Sequence, residues 1–223
     1  MRRIKDNALS LTFLVLFVLA LGGQAVAGTF QFNDEQLVSG GEPVSVLEYV
    51  TSSNFAVDVA ENWQSEYLQF LLFIVLTVWL VQRGSPESKE PGEEGAESDR
   101  RQLIGPYAQA DSPAWAKVKG VRLWLYSNSL GLVMGAVFLG SWLAQSVAGL
   151  AQFNADRLAD LQDPVSWGGY LGSPEFWNRS LQNWQSELLA VLSMVVLSIY
   201  LRQRGSPESK PVGSPHSATG VEG

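Results

Sequence analysis

Five residues, Asn62-Trp63-Gln64-Ser65-Glu66, occur again unchanged as Asn183-Trp184-Gln185-Ser186-Glu187. On a helix Asn62 and Glu66 are spaced i, i+4 and share a face, as do Asn183 and Glu187. If the two faces meet, their carboxylates join Gln64 and Gln185, and with Gln24 and Gln145 from another duplicated stretch they form an oxygen-rich cluster. Such a cluster can hold a cation or relay a proton, and paired carboxylates shift each other's protonation. The same side chains serve a plainer purpose: in the headgroup region of a membrane, Glu, Asn, Gln and Trp hydrogen-bond one another and fix how two helices dock. The bracing role is the reading we favour, and no catalytic residue is assigned.

Little else in the chain supports chemistry. Its 223 residues include no cysteine and a single histidine, His216, in a Gly/Pro/Ser-rich tail. Disulfides, zinc-thiolate sites, iron–sulfur clusters and thiol nucleophiles are therefore excluded. No metal site, cofactor or nucleic-acid partner is expected, and the chain is not expected to be an enzyme.

The elements that must position these residues are written in the charge distribution. Charged residues make up 17% of the chain but are almost absent from residues 8 to 28, 67 to 81, 129 to 151 and 188 to 201. That pattern predicts an all-α membrane protein with four transmembrane helices, near 8–28, 63–82, 129–149 and 184–202. Sliding the chain by 121 residues aligns Asp6–Lys89 with Ser127–Lys210 without a gap, with roughly 36 of 84 positions identical. The spans thus form two tandem helical hairpins. The expected layout is a first repeat over 1–89, a disordered acidic cytoplasmic linker over 90–112, a second repeat over 113–210 and a disordered tail over 211–223.

Residues Met1 to Lys5, the apolar run after them and Ala25-Val26-Ala27 before Gly28 imitate a cleavable signal peptide. The same Val-Ala-Gly ending recurs at Val147 to Gly149 inside the chain. Residues 1–27 are therefore expected to remain, as one half of a duplicated unit.

With the N-terminus cytoplasmic, 13 of the 15 Lys and Arg residues fall inside and only Arg157 and Arg179 outside, so both termini are placed in the cytoplasm. Both hairpins then point the same way, and a pseudo-two-fold axis runs along the membrane normal. The second span of each hairpin is short of apolar residues: Leu188 to Tyr200 does not suffice, so Trp184 and Gln185 must sit at the outer boundary. Ser173, Pro174 and Glu175 read as N-cap, N1 and N2, starting that helix a few turns before the membrane. Pro113 to Tyr126 is basic and aromatic, which fits a juxtamembrane anchor better than a specific lipid site. Gly131 and Gly135 open a small-residue ridge, continued by Gly140, Ala144 and Ala148, that predicts close helix packing. The outer segments carry 12 acidic and two basic residues, an acidic face that attracts cations or is simply solvated.

The ordered motifs D-N-x-L-S-L, P-V-S-x-x-x-Y, N-W-Q-S-E and R-G-S-P-E-S-K together resemble the bacterial membrane family catalogued as domain of unknown function 6766. The resemblance covers roughly residues 1 to 212. It implies a bacterial multi-pass inner-membrane protein and brings no activity, substrate or site residue with it. The function expected is a membrane interaction or scaffold component in the lipid bilayer, open to homo-oligomerisation or a membrane-protein partner. Its rival is a small cation or proton transporter or channel built on the repeated carboxylates, and a membrane enzyme is a weaker third reading.

Overall fold

The computed structural model describes residues 2–221. Among them are seven helices of five residues or more and no strand, so the all-α expectation holds. They are α1 (Ala8–Val38), α2 (Val46–Val50), α3 (Ser53–Leu76), α4 (Val121–Ser127), α5 (Ser129–Ala159), α6 (Trp167–Leu171) and α7 (Pro174–Tyr200). A single helical turn, Arg2–Lys5, precedes them.

Helices α1 and α5 each run 31 residues, ten past the ends expected from their apolar stretches. The extra turns contain neither glycine nor proline, and in α1 Gln31 donates to Glu35 at 3.0 Å across one turn, so nothing stops the helix until α1 meets Gly40 at φ +77°. By length and composition these two helices can cross a membrane. Their apolar side chains stay exposed, among them Phe13, Leu16 and Leu19 on α1 and Leu130, Val133 and Leu139 on α5.

Helices α3 and α7 do not meet that measure, so two of the four expected spans are apolar and long enough and two are not. The cause is local. The polar N-W-Q-S-E stretch lies inside each helix, and α3 loses its regular ladder at Leu76, six residues before the expected end at 82. There the Val78 and Trp79 amides donate to Val75 and Leu76 at i−3, while the Thr77 hydroxyl donates to the Phe73 carbonyl at 2.7 Å. At the other end the sequence reading holds, since α7 begins at Pro174, where a missing N–H costs nothing.

The chain divides into two compact units, Met1–Ala60 with Ala144–Ser173, and Glu61–Leu143 with Pro174–Gly223. In the first unit, the loop after α1 is tied back by Asn33. Its side-chain amide accepts from the Val44 N–H at 2.7 Å and donates to the Val44 carbonyl at 2.9 Å. Asn154 does the same for Val165 after α5, at 2.8 and 3.0 Å. Ser45 then caps α2 and Ser166 caps α6. These caps start short helices that place Tyr49 and Tyr170, both buried. Each tyrosine lies over a glycine: a Cβ at Gly28 would collide with the Tyr49 hydroxyl, and one at Gly149 with that of Tyr170. Here a glycine is required by close approach. Rings of Phe32 and Phe153 pack on the two tyrosines at 5.7 and 5.4 Å.

In the second unit the two R-G-S-P-E-S-K segments fold into the same loop. Ser88 Oγ accepts from the Gln82 N–H at 2.8 Å and Ser209 Oγ from the Gln203 N–H at 2.9 Å, while Gly84 and Gly205 sit at φ +89° and +83°. The lysine ending each loop gathers nearby backbone carbonyls around its ammonium. Lys89 donates to the Gly95 carbonyl. Buried Lys210 donates to the carbonyls of Gly84, His216 and Ala218 at 2.6, 3.0 and 3.1 Å. The tail consequently lies on the first loop, with Gly84 N–H donating to Thr219 Oγ1 and Gly220 N–H to the Ser85 carbonyl. Within 90–112 the one helical piece described is the 3-10 turn Gly105–Tyr107.

Candidate functional site

The six residues of the repeated motif, Asn62, Gln64, Glu66, Asn183, Gln185 and Glu187, belong to the second unit, on α3 and α7. Trp184 Nε1 donates to Gln64 Oε1 at 2.7 Å. One turn earlier on each helix, Arg179 Nε meets Glu61 Oε2 at 2.7 Å, with side chains only 22% and 16% exposed. Moving from the ion pair to the Trp–Gln bond advances along both helices in the same direction, so α3 and α7 run parallel here. Glu66 follows Gln64 by two residues on α3, and Glu187 follows Trp184 by three on α7.

Within this group the two copies behave differently. Gln64 is fully buried, whereas Gln185, its counterpart, is exposed. The Gln64 oxygen is engaged by Trp184, and its Nε2 is buried with no hydrogen-bond partner among the described residues. Asn183 donates back to the Arg179 carbonyl at 3.0 Å, and Ser65 and Ser186 donate to the carbonyls of Asn62 and Asn183, each at 2.9 Å. These are i−3 and i−4 bonds within one helix, whereas the tryptophan, the glutamine and the ion pair join the two helices. Gln24 and Gln145 lie in the first unit, Gln24 half-buried and Gln145 fully buried.

The other polar residues needed for docking lie just outside the motif. Glu61 and Arg179 are not duplicated: their counterparts are Gln182 and Asp58. A charge-reversed pair of positions in otherwise matching halves is the signal that could have found them. An aromatic ladder also escaped the sequence reading. Trp142 packs on Phe176 at 5.8 Å and on Trp177 at 6.3 Å, and Trp177 meets Trp184 edge-on at 6.5 Å. Edge-to-face stacking of this kind gives α7 a rigid seat on α5.

Gly131 and Gly135 face α3. A Cβ at Gly135 would lie 3.7 Å from the Leu71 methyls, and one at Gly131 would lie 3.9 Å from Val75. Both are ordinary van der Waals distances, so the two glycines have room for alanine but not for a bulky side chain. Gly140, placed on the same ridge by its spacing, faces open space. Among the described residues, no group of three or more His, Cys, Asp or Glu could hold a metal ion.

The model of the family described as Domain of unknown function (DUF6766) matches residues 1–221. The chain belongs to that family. No curated protein and no solved structure matches it. The matched range spans both candidate membrane helices and the residues of the α3–α7 contact.

Proposed function

We propose that this DUF6766 chain is a four-span membrane protein that acts as an interaction or scaffold component, and that the repeated N-W-Q-S-E stretch braces its helices. The observation that carries this reading is the Trp184–Gln64 hydrogen bond beside the Glu61–Arg179 ion pair. Gln64 and Trp184 of the repeated motif, with the ion pair just outside it, hold α3 to α7. Exposed apolar side chains run along all four long helices, including Phe70 and Val75 on α3 and Leu189, Leu192 and Leu197 on α7. In water such bands would be costly; in a bilayer they are the natural outer surface. Trp184 and Gln185 at the outer boundary complete the span of α7. The parallel run of α3 and α7 fits two tandem hairpins related by an axis along the membrane normal.

In this reading the termini, the linker and the R-G-S-P-E-S-K loops face the cytoplasm, and the Asn33 and Asn154 loops lie outside. The partners are the bilayer itself and a second copy or another membrane protein. No catalysis is assigned. Single cysteines replacing Ser39, Ser112 and Ser214 test the topology, since the native chain has no thiol: an impermeant reagent should label the first from outside and the other two only after permeabilisation. Labelling of Ser112→Cys in intact cells would overturn it.

The placement of Glu66 and Glu187 just past the Trp184–Gln64 bond, on the two helices it joins, favours a second reading, a cation or proton pathway. Reconstituted protein separates the two. The bracing reading expects no flux in wild type or in Glu66→Gln. A cation- or pH-dependent flux lost in both Glu66→Gln and Glu187→Gln would make the chain a transporter.

A further inference from the structure

Beside the broken end of α3 the second unit forms a half-open cavity of about 280 Å³. Its walls are Leu72, Phe73 and Leu76 of α3 and Leu188, Val191 and Val195 of α7, and residues just past the break line its far end. Gln69 also lines it, and the Gln69 Oε1 atom is buried with no hydrogen-bond partner among the described residues. We infer that this cavity is a binding site for a small single-chain amphiphile, an alkyl body carrying one hydroxyl, with the hydroxyl donating to Gln69 Oε1.

Three observations on different scales support this assignment. First, the second copy carries Ala190 where the first carries Gln69, and α7 folds there without a polar side chain. Nothing in the helix itself requires the glutamine, and burying an amide oxygen unpaired is unfavourable. Second, α3 stops at Leu76 whereas α7 continues through its counterpart Leu197 to Tyr200. Irregular backbone at membrane depth is tolerated where it lines a cavity, and Thr77, Leu80 and Val81 do so here. Third, the other polar atoms on the wall are engaged. The Thr77 hydroxyl donates to Phe73, and Ser88 Oγ accepts from the Gln82 N–H and donates to the Lys89 carbonyl.

A bound water is a poor occupant, because a buried water needs two to four polar partners and Gln69 offers one acceptor. Apolar walls of this kind bind hydrocarbon-sized molecules in cavities about half as large. The volume is at the small end of ligand pockets and excludes a two-chain phospholipid. What remains is an apolar body of modest length with a single donor.

The test uses the full chain in lipid nanodiscs and octan-1-ol bearing a diazirine, with adducts mapped by mass spectrometry. Adducts should fall on Leu72–Val81 and Leu188–Val195 and be displaced by excess octan-1-ol more effectively than by octane. Gln69→Leu should lower the yield by about fivefold to tenfold, the effect of one lost hydrogen bond, and remove the preference for alcohol over alkane. Val191→Trp, which fills the space, should abolish labelling even though Gln69 is intact. Adducts spread without saturation over the exposed faces of α1 and α5 would overturn the site, as would labelling unchanged in Val191→Trp. Equal displacement by octane and octanol would show that Gln69 makes no bond to the ligand. The topology experiment reads the span assignment separately, so failure of one does not mimic failure of the other.

Discussion

The loop locks of the first unit and the helix brace of the second are both built from duplicated motifs, yet they use duplication in opposite ways. Asn33 and Asn154 make the same two bonds to Val44 and Val165, and Gly28 and Gly149 accept the same tyrosine. In the brace, Gln64 is buried under Trp184 while Gln185 is exposed, and Glu61 pairs with Arg179 where the other copy would offer Gln182 and Asp58. A lock closes within its own copy, so each half can keep every residue. A brace joins one copy to the other, and two identical acidic faces would repel. Replacing Asp58 by Arg179 at matching positions converts that repulsion into attraction, and such a change at one position is enough to make the two helices inequivalent.

The ion pair is where this comparison breaks most visibly. Arg179→Met should leave Glu61 partly buried without its cation and destabilise the folded chain by about 3 kcal/mol, at the low end for a buried pair because both side chains keep some exposure. Chemical denaturation in detergent measures it. Adding Glu61→Gln should recover most of the loss, since the stranded charge is what costs. A single variant as stable as wild type would mean the pair is a surface contact and the brace rests on Trp184 and Gln64 alone.

The locks should respond alike. Gly28→Ala and Gly149→Ala each place a methyl against a buried tyrosine ring and should cost about 2 kcal/mol. They should differ in rescue. At Gly149 the next ring atoms after the hydroxyl stand at 3.0 and 3.2 Å from the new Cβ, so Tyr170→Phe relieves most of the strain. At Gly28 two ring carbons remain at 2.8 Å, and Tyr49→Phe relieves less. Thermal unfolding of the four variants checks the order, and equal rescue in both copies would show that the hydroxyl alone sets the distance.

For the brace the equivalent test is inequality. Gln64→Leu strands the Trp184 N–H and should cost about 1 kcal/mol, while Gln185→Leu at an exposed site should stay within about 0.5 kcal/mol of wild type. The two glutamines cannot be told apart by their own neighbours, because the five-residue motif is identical in both copies. That marks the limit of what was legible. The all-α class and the two long apolar helices follow from residues 8–28 and 129–149, where local composition decides. The early end of α3 does not, since Thr77 and Trp79 carry no helix-breaking residue type, yet the Val78 and Trp79 amides turn to carbonyls at i−3. The partners of Gln64 and Glu61 lie about 120 positions away, and their selection depends on Arg179, outside any motif. The tail followed no pattern either: Lys210 reads as one more charge until the carbonyls of Gly84, His216 and Ala218 are seen around it.

The smallest expected effect separates the two locks from each other. In the first, Glu48 closes a capping box: its carboxylate accepts from the Ser45 backbone N–H and hydroxyl, each at 2.7 Å, while its own N–H donates to Ser45 Oγ at 3.3 Å. The backbone bond from Ser45, followed by the side-chain one, holds the Glu48 carboxyl below the usual carboxylate range. A depressed value in the folded state means that the box contributes fully above the ordinary range of a free glutamate and is lost as pH falls through the lowered value. The second lock has Gly169 at the matching position, so Ser166 caps α6 with no carboxylate in return. Amide hydrogen exchange followed from pH 6 down to about pH 3 should, after correction for the intrinsic pH dependence, show the start of α2 losing protection while the start of α6 keeps its own. Glu48→Gln should remove the difference, because a neutral amide holds part of the box at every pH. If α2 and α6 lost protection together on acidification, the cause would lie in a group shared by the first unit, and the capping box would have no part in it.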